Sequence, residues 1–167
     1  MKKFALVALF AVAVFGMAFA GTTKNGSVWI SGSDPEVFTL TLPPNYSGTI
    51  ANGSTTQTLF IGNVVVTSNV DNWYLYIRSD NYAYLLNSAD PTAAPISYDL
   101  ALGSYTFSRW DDTPSNNNDY GAWWIGPQPR TSKAGLTLPL SLIIYPSDNF
   151  YQAGNYSETL TFTIVYN

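Results

Sequence analysis

The sequence predicts an all-β chain folded as an immunoglobulin-like antiparallel β-sandwich of about seven to nine strands. Three observations predict it. Apolar and polar residues alternate with a period of two in stretch after stretch. Clusters of Gly, Pro, Asn and Asp separate those stretches at the spacing of a sandwich. Beyond residue 20 no window sustains a helical period. A closed barrel fits this spacing less well, while a jelly roll shares it.

The elements follow in chain order. "SVWIS", residues 27–31, is expected as the first strand, and "EVFTLTL", residues 36–42, as the second, with Phe38, Leu40 and Leu42 opposite Thr39 and Thr41. Pro43-Pro44 ends it, because proline cannot donate to a ladder. A polar loop or short hairpin about Asn52-Gly53 leads to "TLFIGNVVVTSN", a long strand in which Gly62 marks a bulge. "NWYLYIRS" places Trp73, Leu75 and Ile77 on one face and Tyr74, Tyr76 and Arg78 on the other. Residues 80–95 read as irregular. In "ISYDLAL" the residues Ile96, Tyr98, Leu100 and Leu102 share a side, and "SYTFSRW" continues as a hairpin after Gly103. "DDTPSNNNDYG" is a loop, with no apolar residue before Tyr120. "LTLPLSLIIYP" aligns Leu138, Leu140, Leu142 and Ile144. The final strand aligns Leu160, Phe162, Ile164 and Tyr166 against Thr159, Thr161 and Thr163.

The first residues have a different logic. Lys2 and Lys3 precede an apolar run from Phe4, which ends in Ala18-Phe19-Ala20 before Gly21. This is the layout of a secretory signal peptide cut after Ala20; a membrane anchor is the other reading of the same run. Residues 1–20 are therefore expected as a leader and 21–167 as one β-sandwich domain, secreted to an extracellular, cell-surface or periplasmic location, with no membrane span after cleavage.

Composition narrows the function. There is no Cys, so disulfides cannot hold the fold, and no His, which removes the commonest general base and transition-metal ligand together. The formal charge is −4, and losing Lys2 and Lys3 would lower it further. Without a basic cluster to displace phosphate counterions, nucleic acid is not an expected partner. Ser-His and Cys-His nucleophilic pairs cannot be assembled. Lys24 and Lys133 lie in no catalytic pattern. Glu36 and Glu158 are the only glutamates, and their ordinary reading is surface solvation and edge protection rather than a glycosidase pair. The chain is expected not to be an enzyme and to need no cofactor. Asp111, Asp112 and Asp119 form its densest oxygen cluster, a calcium candidate that lacks the EF-hand spacing; a solvated loop is the plainer reading. Asn-x-Ser sequences at Asn25, Asn45, Asn52 and Asn155 arise readily by chance in polar turns.

Aromatic residues offer a sharper choice. Trp110, Tyr120, Trp123 and Trp124 flank the polar loop, and rings beside amides and carboxylates suit a polysaccharide. On the competing reading, Trp123 and Trp124 point to opposite faces of a strand, one buried and one covering a loop. Tyr74 and Tyr76 would face outward or toward a neighbour.

Two stretches carry a resemblance. "VVVTSNVDNWYLYI", followed late by "AGNYSETLTFTIVYN", resembles the spore-coat-U-like and related pilin-like bacterial sandwiches, in which an Ala-Gly-x-Tyr-Ser-x-Thr turn leads into a final Thr-rich strand. Trp73-Tyr74-Leu75 also looks like the first Trp-x-Leu signature of Gram-positive cell-wall-binding domains, whose second copy this chain lacks. The coat-like proteins often carry a disulfide, and this sequence departs from them there. The resemblance implies a non-catalytic subunit of a coat, fibre or envelope layer that associates with itself or with other surface proteins through strand edges. Val28, Trp29 and Ile30 near the start and Leu160, Phe162 and Ile164 at the end are the expected assembly residues. Residues 27–31 are expected as an ordinary strand of their own domain, with donation to a neighbouring copy as the other reading.

Overall fold

The computed structural model describes residues 27–51, 55–109 and 121–166. The chain divides into two units, Met1–Asp34 and Pro35–Asn167. In the first unit, residues 27–34 are described and carry no strand. The described residues of the second unit hold eleven strands: β1 (Phe38–Thr41), β2 (Gln57–Ser68), β3 (Trp73–Ser79), β4 (Tyr84–Asn87), β5 (Ile96–Ser97), β6 (Asp99–Leu102), β7 (Tyr105–Phe107), β8 (Ala122–Gln128), β9 (Leu136–Ile144), β10 (Tyr156–Ser157) and β11 (Leu160–Tyr166). Among the described residues there is no helix, so the all-β class is as the sequence predicts. The expected leader, residues 1–20, lies outside the described residues.

All the pairings are antiparallel. A five-stranded sheet runs β1-β2-β9-β6-β7, one three-stranded sheet runs β11-β3-β8, and a second, smaller one runs β10-β4-β5. Alternation decides which side of each strand turns inward. In β3, Trp73, Leu75 and Ile77 are buried, while Tyr76 and Arg78 are exposed. In β9, Leu138, Leu140, Leu142 and Ile144 are buried. These join Val64 and Val66 of β2, Leu100 and Leu102 of β6, and Trp123 and Ile125 of β8 in one core. The inner faces of the two main sheets therefore bury each other in a β-sandwich-like arrangement. Each such aliphatic or aromatic side chain contributes about 1.5–3 kcal/mol through removal from water. Both inward indoles also satisfy their one donor: Trp73 Nε1 donates to the Pro129 carbonyl at 2.8 Å, and Trp123 Nε1 to the Ser108 carbonyl at 3.0 Å.

The bulge expected at Gly62 is present. The β2–β9 register shifts between Phe60 and Gly62, whose φ is +148°. A side chain there would also meet the Pro43 ring at 2.5 Å. Glycine is required on both counts.

Three expectations need correction. Residues 27–31 form no strand, and the first strand among the described residues is β1. Alternation nominates a strand, but only a partner's hydrogen bonds make one. Residues 80–95 are not wholly irregular, since they contain β4, which pairs with β10 and β5. These short pairings raise the strand count among the described residues to eleven. Finally, the run Ile96–Leu102 keeps its shared face yet divides at Tyr98: β5 pairs with β4 in the small sheet, while β6 pairs with β9 and β7 in the five-stranded one.

Candidate functional site

The terminal strand is paired along one side. β11 matches β3 residue for residue, from Leu160 opposite Ser79 to Tyr166 opposite Trp73, and it ends its sheet. Among the described residues no strand covers its other edge. A strand so placed directs alternate N–H and C=O groups outward without ladder partners. Its inward row, Leu160, Phe162 and Ile164, is only partly buried, whereas Trp73, Leu75 and Ile77 on the neighbouring strand are 0–1% exposed.

The five-stranded sheet ends nearby in β1, whose Phe38 and Leu40 are likewise half-buried. Phe38 meets the Tyr166 ring edge-on, with centroids 5.2 Å apart. The Tyr166 hydroxyl donates to Glu36, and this contact raises the tyrosine pKa. The two sheets thus bring their unpaired edges to the same side of the sandwich. Half-buried apolar side chains border both.

Val28, Trp29 and Ile30 are 87, 86 and 87% exposed. Three consecutive large apolar residues in water are an unusual arrangement for a soluble chain. Flanked by Ser27 and Ser31, they form a short apolar segment of strand-forming residue types.

Glu158 occupies the corner between β10 and β11. Its carboxylate accepts from Ser79 Oγ at 3.0 Å and from the backbone N–H groups of Asp80, Asn81 and Thr159 at 3.1, 3.3 and 2.7 Å. Burial pushes its pKa up, and these hydrogen bonds oppose the rise. Beneath it, the buried Tyr98 hydroxyl has Ser79 and Glu158 as polar neighbours but completes no hydrogen bond among the described residues. Desolvation, and then the Glu158 charge, raise the Tyr98 pKa. Glu158 therefore fastens a turn. Glu36, which contacts Tyr166, lies at the far end of β11, about 20 Å away at the rise of an extended strand. That separation is too wide for the paired carboxylates of glycoside hydrolysis.

The aromatic candidates separate. Trp123 is 2% exposed, 6.4 Å from the Tyr98 ring and 6.3 Å from that of Phe107, so its indole belongs to the core and offers no face to a ligand. Trp124 points the other way and is half-buried on the outer face of the β11-β3-β8 sheet. The opposite-faces reading of this pair is the one the strand adopts. Trp110 and Tyr120 lie outside the described residues, as do Asp111, Asp112 and Asp119. Among the described residues no group of three or more carboxylate, histidine or cysteine side chains is placed to hold a metal.

Sequence reasoning missed the partners of Trp124. They are Tyr74 and Tyr76, at centroid distances of 5.5 and 6.4 Å. The alternation of β3 already directed both tyrosines outward. The lateral signal was absent, because the register that sets Tyr76 opposite Trp124 exists only once β8 has paired with β3.

No protein-family model and no curated protein matches the chain.

Proposed function

We propose that the protein is a non-catalytic, exported structural or adhesive surface subunit that associates through its strand edges. One observation carries this reading: β11 ends its sheet beside half-buried Leu160, Phe162 and Ile164, while Val28, Trp29 and Ile30 stand exposed outside any strand. An extended segment from one copy, laid along the β11 edge of another, would satisfy the outward backbone groups of that edge and bury both apolar rows. The leader-like first twenty residues support export, and the spore-coat-U-like and pilin-like resemblance of residues 64–77 and 153–167 supports a coat, pilus or envelope-layer role.

The test is the mass of the mature protein, from Gly21 onward, across a concentration series, with and without residues 21–33. Polymers that grow with concentration and vanish on truncation, while the remaining domain keeps its unfolding midpoint, are the expected result. A folded monomer at every concentration would overturn the proposal.

A further inference from the structure

A second surface lies on the opposite side of the same sheet from the core. Its strands present, in register, Thr161, Arg78 and Ala122 across one row and Thr163, Tyr76 and Trp124 across the next. Tyr74 follows on β3 beside Val165. The three rings form a continuous group: Tyr74 to Tyr76 spans 6.4 Å at 28° between planes, Tyr76 to Trp124 spans 6.4 Å at 22°, and Tyr74 to Trp124 spans 5.5 Å at 40°. Tyr76 is 42% exposed, and Thr161, Thr163 and Arg78 are exposed as well.

Packing does not require this cluster. The core is complete on the other side of the sheet, and ordinary outward positions would carry small polar or charged residues. The three centroids lie 5.5–6.4 Å from one another, a compact triangle of the size of one pyranose ring, whose apolar C–H groups would gain dispersion contact from the cluster. Thr161 and Thr163 line the strip with hydroxyls that both donate and accept, as sugar hydroxyls require. Arg78 is the one charged side chain among these strip residues, in a chain of net negative charge, and among the described residues no carboxylate is paired with it. A guanidinium beside a neutral aromatic strip complements a planar carboxylate.

We propose that the outer face of the β11-β3-β8 sheet binds an acidic polysaccharide, a uronate-containing chain with one pyranose ring seated on the Tyr74–Tyr76–Trp124 cluster and a carboxylate that meets Arg78. This goes beyond assembly and uses none of the residues assigned to it.

The experiment is calorimetric titration of the mature protein with oligogalacturonate and with neutral oligosaccharides of equal length, for the wild type and for Tyr76→Ala, Trp124→Ala and Arg78→Gln. All three positions face outward, and circular dichroism verifies that each variant is folded. The wild type is expected to prefer the uronate, with binding that weakens as salt rises. Tyr76→Ala and Trp124→Ala should each weaken it about tenfold, the loss of one ring contact. Arg78→Gln should abolish the preference for the acidic chain. Three outcomes would overturn the inference: no binding, binding indifferent to the two ring variants, or a neutral chain bound as well as the uronate. Ring variants that lower the mass of assemblies and leave sugar binding unchanged would overturn it as well, by assigning the face to a second copy.

Discussion

β3 and β11 are neighbours of equal length, each of seven residues alternating apolar and polar, yet their inward rows differ in depth. Trp73, Leu75 and Ile77 are sealed, whereas Leu160, Phe162 and Ile164 remain partly open. The difference comes from their position in the sheet. Among the described residues β3 has a strand on both sides, and β11 on one. Alternation reports which way a side chain points; the number of neighbouring strands decides how completely it is covered, and that second quantity is tertiary.

Substitution should separate the two strands most strongly. Trp73→Ala is expected to cost about 3–5 kcal/mol, through the cavity it leaves and the Pro129 carbonyl it orphans. Phe162→Ala should cost about 1–2 kcal/mol in the monomer, since less of its surface leaves water on folding. Equal costs in denaturant titrations would end the distinction between covered and open rows. A smaller effect sharpens it: Gly62→Ala, at a bulge within an interior strand, should cost about 1–3 kcal/mol from its positive φ. A neutral result there would mean that β2 straightens when its glycine is lost.

The Glu158 corner, where β11 begins, gives a pH-dependent comparison. Its pKa is raised above the ordinary value of 4.5, so the folded chain holds this proton more tightly than the unfolded one. Its contribution to stability is complete below that ordinary value and declines as pH rises through the folded value. Relative to Glu158→Gln, the wild type should therefore lose stability on going from pH 4 to pH 7, by less than about 1 kcal/mol because a half-exposed carboxylate is screened by water. Thermal melts in which the wild type gains on the variant over that range would contradict the sign. The smallest expected effect is at Ile30. Ile30→Asp should leave the unfolding free energy within about 0.5 kcal/mol, since the side chain is exposed in the single chain, while lowering the mass of any assembly. A large loss of stability would show that Ile30 is buried by its own domain.

Much of this architecture was legible in the sequence because it depends on short-range periodicity. The inward sets of β3 and β9, the Gly62 bulge, and the opposed directions of Trp123 and Trp124 all follow from a repeat of two or from one residue's conformational freedom. Partnership between distant segments was not legible. Nothing in "SVWIS" says that it lacks a neighbouring strand, and nothing in "YLLN" says that Tyr156 and Ser157 will pair with it from the far end of the chain. The outer aromatic strip lay between these cases. Tyr74 and Tyr76 could be placed on the outside from their own strand, but their contact with Trp124 depends on a register set across 48 residues, from Tyr76 to Trp124.

The division at Tyr98 also has a mechanical meaning. Ile96 and Ser97 belong to the small sheet and Asp99–Leu102 to the five-stranded one, so one uninterrupted piece of backbone is stitched into both. Sliding one of these sheets past the other cannot be accommodated by side chains slipping over one another. It must break either the β4–β5 pairs or the β6–β9 pairs. A chain pulled so as to shear these sheets would therefore meet tension in a covalent tie at this point, with the Tyr98 ring packed against Trp123 beside it.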